Sequence, residues 1–158
     1  MNRIKVFIMD VDGTMTDGKI YMGAGGELMK AFDIKDGYAI HELLPENGVC
    51  PVIMTGRVSD IVTNRAKELE VPYVMQGIKD KRAAVFQLME QLDCSAEEAA
   101  YMGDDLIDLE AMRLCGTRGC PADAVPEIKA ICSFISTKNG GSGAVREFAE
   151  WILGREDT

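Results

Sequence analysis

Short apolar runs that stop abruptly at polar or glycine-bearing turns recur along this chain. Ile4–Met9 stops at Asp10, Val49–Met54 at Thr55-Gly56-Arg57, Val71–Met75 at Gln76-Gly77, and Ala99–Met102 at Gly103-Asp104-Asp105. Helical spacing follows three of them. Ile61, Val62, Arg65, Ala66 and Leu69 lie along one helix, Ala84, Val85, Leu88, Met89 and Leu92 along a second that begins at Asp80, and Leu106, Leu109, Met112 and Leu114 along a third. Shorter strands are predicted at Thr117–Gly119 and Ile131–Ile135, a helix after Gly37, and a last helix over Ala144–Leu153. Arg155–Thr158 reads as a frayed tail.

Repeated strand-loop-helix units predict an α/β fold: a Rossmann-like open parallel sheet flanked by helices. Between Gly18 and Asp36, K-I-Y-M-G-A-G-G-E-L-M-K-A-F-D-I alternates apolar and polar residues about a glycine-rich turn. That is the pattern of a β-hairpin. Such a hairpin would form a small flap beside the tip of the first strand and is too small to be a cap domain. With no internal repeat and no proline-rich linker, residues 1–158 are expected to form one domain.

Composition narrows the partners. The formal net charge of -9 disfavours nucleic acid and anionic membrane surfaces, which attract basic patches. An anionic substrate would then need locally placed cations. The five cysteines (Cys50, Cys94, Cys115, Cys120 and Cys132) include no C-x-x-C pair, which suits reduced thiols in a cytoplasmic protein. Cys115 and Cys120 lack metal-ligand spacing, and the ten methionines scatter through apolar runs as core filler. The apolar run within Met1–Met9 is too short for a signal peptide or a membrane span.

Four polar clusters fall at predicted strand ends or helix starts: Asp10–Gly18, Thr55–Arg57, Asp80-Lys81 and Gly103–Asp108. Ligands of open parallel sheets bind beyond the carboxyl ends of the strands. Asp10 and Asp12, two apart on extended chain, project to the same side, and Gly13 permits a turn directly after them. Without a cation such carboxylates repel, and one protonates. Asp104 and Asp105 add hard oxygen ligands of the kind Mg²⁺ prefers. A bound Mg²⁺ would keep Asp10 ionised and make it a plausible nucleophile toward phosphorus. The Thr55 hydroxyl, the Gly56 N–H and the Lys81 ammonium could cradle a phosphoryl group. The planar fork of Arg57 suits a substrate carboxylate, with Arg65 a second candidate. His41 has no motif partner and is expected to be structural.

In order, D-V-D-G-T-M-T-D-G from Asp10, T-G-R from Thr55, Lys81, and G-D-D-L-I-D from Gly103 resemble the four motifs of the haloacid dehalogenase-like phosphatases, across essentially the whole chain. The resemblance implies that Asp10 is the nucleophile and Asp12 the general acid and base. It also implies that Asp10 and Asp104 give carboxylate oxygens, and Asp12 its backbone carbonyl, to Mg²⁺. Thr55 and Lys81 would bind phosphate, and Asp105 and Asp108 would support the metal site or its loop. The intervals between motifs leave no room for a separate cap. This resembles the capless subclass, whose members bury their sites by forming tetramers, so a homotetramer is implied.

Within that subclass, N-G-G-S-G-A-V-R-E at Asn139–Glu147 and Q-G-x-x-D-K at Gln76–Lys81 are similar to the branch acting on 3-deoxy-D-manno-octulosonate 8-phosphate, a sugar-acid phosphate of lipopolysaccharide precursor synthesis. That branch uses its glycine-rich tail at or near a neighbouring subunit's site. The branch acting on 2-keto-3-deoxy-nononate 9-phosphate carries glutamate at the place of Arg57 and tends to lysine at that of Glu68, and this chain departs from both. Similar domains also serve as non-catalytic tetramerisation modules. The intact Asp10, Asp12, Lys81 and Asp104 argue for catalysis instead.

Overall fold

The computed structural model describes residues 3–154, so the tail read at Arg155–Thr158 lies outside the described residues. A six-stranded parallel sheet runs in the order β5 (Tyr73–Met75), β4 (Cys50–Met54), β1 (Val6–Met9), β6 (Ala99–Met102), β7 (Thr117–Cys120), β8 (Phe134–Ile135). All four residues of β1 and of β6 are buried, because helices cover both faces of the sheet. Alternation along β1 divides the core. Phe7 and Met9 face one layer, with α3 (Asp60–Glu68) and α7 (Ala144–Gly154). Val6 and Ile8 face the other, with α4 (Lys81–Gln91), α5 (Leu109–Met112) and α6 (Pro126–Lys129).

The first layer is anchored by α7. The Phe148 ring lies 5.4 Å from Phe7 and 5.3 Å from Phe134, and Trp151 extends the cluster 5.0 Å beyond Phe134. Gly119 of β7 lies directly beneath Phe148, where a Cβ would come within 2.7 Å of the ring. A glycine in that strand lets the helix sit close to the sheet.

The flap is a separate two-stranded hairpin, β2 (Tyr21–Gly23) and β3 (Gly26–Met29), turning at Ala24-Gly25. Its outward residues Met22, Leu28 and Met29 are exposed. The chain leaves the hairpin through Lys30–Asp33. There the Asp33 carboxylate accepts from the backbone N–H of Lys35 and Asp36 and starts α1 (Ile34–Tyr38). A wide π-type turn, Ala39–Leu43, carries this helix on into α2 (Leu44–Glu46).

Two sequence expectations need correction, and one short helix was not expected. Ile131–Ile135 is a strand only at Phe134–Ile135, because the N–H groups of Ile131 and Cys132 bond back to Ile128 and Lys129 and close the end of α6. That four-residue helix itself gave no periodic signal and starts at Pro126, whose missing N–H costs nothing at a first turn. The helix expected from Leu106 begins as a 3-10 turn, Leu106–Asp108, before α5, because the Asp105 carboxylate caps the Leu106 N–H at 2.7 Å.

Candidate active site

The chain turns sharply where β1 ends. Val11 O accepts from the N–H groups of Thr14, Met15 and Thr16, and the Thr16 hydroxyl accepts from Gly13 N and Gly18 N, both at 3.2 Å. Gly13 sits at φ +90°, and a Cβ there would run into the Asp104 carboxylate. The loops after β1 and β6 are therefore in direct contact, and only glycine permits it. Thr14 reinforces this by donating its hydroxyl to Asp104 Oδ1 at 3.1 Å.

Asp10, Asp104 and Asp108 converge there, each offering an oxygen within 4.8 Å of the others. Lys81, at the start of α4, places its buried ammonium 3.1 Å from Asp10 Oδ1 and 2.8 Å from Asp108 Oδ1. Asp108 is the most heavily bonded of the three: it also accepts from the Tyr101 hydroxyl at 2.8 Å and from the Asp104 N–H at 3.2 Å. That leaves Asp10 and Asp104 as the available oxygen donors.

Three carboxylates against one ammonium leave two negative charges in a buried space. Burial first, then the Asp108 and Asp104 charges, push Asp10 well above the usual carboxylate range, with Lys81 opposing. Burial and Asp108 push Asp104 up to about 7. Burial works against the Lys81 charge, yet Asp10 and Asp108 hold its pKa above the ordinary lysine value. A hard divalent cation between Asp10 and Asp104 fits this donor set and this charge deficit.

Asp12 points elsewhere. Its Oδ1 is 2.5 Å from Lys30 Nζ and its Oδ2 is 3.9 Å from Arg57 Nε. Arg57, 46% exposed, also reaches Glu27 of the hairpin at 3.5 Å. Thr55 is buried at the end of β4, bonded through its backbone to Met75 and Ile78, and Gly56 beside it is exposed. Asp105 faces outward as the cap described above. Arg65 is not brought to this cluster: its guanidinium lies 5.6 Å over the Phe32 ring and pairs with Glu68 at 2.6 Å. His41 is at the surface between Glu42 and Glu70.

The glycine-rich segment packs on the first loop of its own chain. Gly141 N donates to Thr14 O at 3.3 Å, Gly140 N donates to Asp123 at 3.0 Å, and a Cβ on Gly140 would strike the Gly13 carbonyl. Lys30, Glu27, Ser59, Thr14 and Tyr101 were not singled out from the sequence. Of these, Thr14 lay inside the first motif, whereas Lys30 is brought to Asp12 only by the hairpin folding back.

Residues 74–148 match the family model for a haloacid dehalogenase-like hydrolase. Over 154 residues the chain is 41% identical to 3-deoxy-D-manno-octulosonate 8-phosphate phosphatase of Yersinia pestis, spanning 98% of this chain and 82% of that one. This chain belongs to the haloacid dehalogenase-like hydrolases. Two solved structures are close to this hydrolase. The cobalt-bound deoxy-D-mannose-octulosonate 8-phosphate phosphatase of Haemophilus influenzae superposes with a TM-score of 0.94 at 37% identity, covering 98% of this chain and 90% of that one. The Moraxella catarrhalis 3-deoxy-D-manno-octulosonate 8-phosphate phosphatase, in complex with a magnesium ion, a phosphate ion and KDO, gives 0.91 at 41% identity, with 96% and 86% covered.

Proposed function

We propose that this hydrolase is a Mg²⁺-dependent phosphatase that releases phosphate from 3-deoxy-D-manno-octulosonate 8-phosphate, in lipopolysaccharide precursor synthesis. The observation that carries this is the buried Asp10–Asp104–Asp108 cluster with Lys81, in a chain 41% identical to a phosphatase of that substrate.

Asp10 Oδ attacks phosphorus and the bond to the sugar oxygen breaks, leaving an aspartyl-phosphate. Asp12 gives the leaving oxygen a proton, then takes one from the water that hydrolyses the acyl phosphate. Lys81, the Thr55 hydroxyl and the Gly56 N–H hold the equatorial phosphoryl oxygens, where negative charge spreads in the transition state. Asp10, Asp104 and the Asp12 carbonyl would hold Mg²⁺, which would supply the positive charge that lets a phosphate dianion approach a carboxylate. Asp108 fixes Lys81, and Asp105 fixes the loop. Arg57, half-exposed beside Asp12, would receive the sugar-acid carboxylate in two hydrogen bonds. Arg65, the second candidate for that carboxylate, lies over Phe32 and pairs with Glu68.

The homotetramer and the cytoplasmic location belong to the same proposal. Support for the first is that the hairpin leaves Met22, Leu28 and Met29 exposed on its two faces. Support for the second is that all five cysteines are free thiols. No helix among the described residues is long and apolar enough to cross a membrane.

The test is phosphate release from the eight-carbon substrate and its nine-carbon analogue, with and without Mg²⁺, in wild type and Asp10→Asn. Metal-dependent turnover that prefers the eight-carbon compound and vanishes in Asp10→Asn is the expected result. Metal-independent turnover, or an Asp10→Asn enzyme as fast as wild type, would reject the mechanism.

A further inference from the structure

We propose that Lys30 is a positioning residue that sets the Asp12 carboxyl for proton transfer, a role that rests on reading Asp12 as acid and base. The Lys30 side chain is 1% exposed, and a lysine that buried needs counter-charges. It has two, Asp12 Oδ1 at 2.5 Å and Glu27 Oε2 at 2.9 Å. Glu27 is itself held, accepting from the Ser59 hydroxyl at 2.7 Å. Ser59 N donates to Gln76 Oε1 at 2.8 Å, and Gln76 Nε2 donates to the Thr63 hydroxyl at 2.7 Å on α3. A continuous chain of bonds thus runs from α3 and the loop after β5, through the hairpin, to Asp12. Asp12 is oriented by rigid elements and not by its own loop alone.

The geometry also divides the labour between the two Asp12 oxygens. Lys30 donates to Oδ1, whereas Oδ2 has Arg57 Nε at 3.9 Å, beyond hydrogen-bond reach. Oδ2 is therefore the oxygen that carries the proton. When Oδ2 is protonated, Oδ1 is a carbonyl oxygen and still accepts from Lys30, so the contact survives both halves of the reaction. In the first half Oδ2–H passes its proton to the sugar oxygen as the P–O bond to the sugar breaks and the bond to Asp10 forms. In the second half Oδ2 takes a proton from water as the water oxygen bonds to phosphorus and the bond to Asp10 breaks.

The test uses leaving groups that differ in their need for a proton. p-Nitrophenolate departs as a stable anion, whereas a sugar alkoxide requires protonation. The parameter kcat/KM covers only the steps up to departure of the leaving group. Wild type, Lys30→Met and Asp12→Asn are compared with Mg²⁺ on the sugar-acid phosphate and on p-nitrophenyl phosphate. Loss of a positioned general acid should lower kcat/KM for the sugar-acid phosphate about a hundredfold in Lys30→Met, and for p-nitrophenyl phosphate less than about threefold. Equal losses on both, or no loss on the sugar-acid phosphate, would overturn the proposal and leave Lys30 as a pin for the hairpin. Asp12→Asn separates the two levels. If it discriminates between leaving groups and Lys30→Met does not, only the role of Lys30 fails; if it treats both alike, the acid role of Asp12 fails with it. Should Lys30→Met not fold, Lys30→Met/Glu27→Gln removes one charge of each sign and must show the same discrimination between substrates.

Discussion

Gly13 and Asp104 share one small volume. A methyl group at residue 13 would displace the carboxylate that, with Asp10, is available to a cation, and φ +90° would add backbone strain. Gly13→Ala should therefore fold yet lose the response to metal. In wild type, Mg²⁺ at a hundred times its Kd should add about 2.7 kcal/mol of stability, read as a rise in Tm. That rise is expected to disappear in Gly13→Ala and in Asp104→Asn, together with at least a hundredfold of activity. An undiminished rise in both variants would remove residue 104 from the metal site.

At the scale of elements, Asp36 couples α1 to α7. It is buried, its Oδ1 accepts from the Arg146 N–H at 3.0 Å, and its Oδ2 has no partner among the described residues. Burial pushes it up to about 6, although N–H groups at the start of α7 pull the other way. The folded chain thus binds a proton more tightly than the unfolded chain. Stability from this group is complete below about pH 3, falls as the unfolded carboxyl ionises, and levels off as pH rises past about 6. Two pKa units correspond to roughly 3 kcal/mol. Urea unfolding should show wild type losing about that much relative to Asp36→Asn between about pH 3 and pH 7. A gap that widens in the other direction would mean that the start of α7 favours the carboxylate after all. Because α7 follows the glycine-rich segment packed on Gly13, this contact also steadies the first loop.

For the whole molecule, the sheet and its two helical layers close around the core, but the hairpin leaves apolar side chains uncovered on both of its faces. Met22, Leu28 and Met29 are all exposed, with Ile34 and Val58 exposed as well. A two-stranded ribbon is marginal in water unless it packs on something. Sedimentation equilibrium should give an assembly heavier than the 17.3 kDa chain, a tetramer under the proposal. Met22→Glu/Leu28→Glu should shift it toward that single-chain mass. A wild type that is monomeric at micromolar concentration would refute the assembly.

What could be read from the sequence alone were the features encoded within a few neighbouring residues. Strands β1, β4 and β6 are nearly continuous apolar runs because both of their faces are covered, and the polar residues that end them announce a site by their abruptness. Asp10 and Asp104 were legible for that reason, and Lys81 by its place at a helix start. The weaker elements were not: α6 has four residues and no period, and β8 has only two. Tertiary structure alone decided how the motif residues divide the work of the site. It committed Asp108 to Lys81 and Tyr101, turned Asp105 outward, kept Arg65 on Phe32, and brought Lys30 onto Asp12 from 18 residues away. Periodicity reports which face of an element is buried, whereas the meeting of two side chains depends on how separate elements pack, and no local pattern along the chain carries that information.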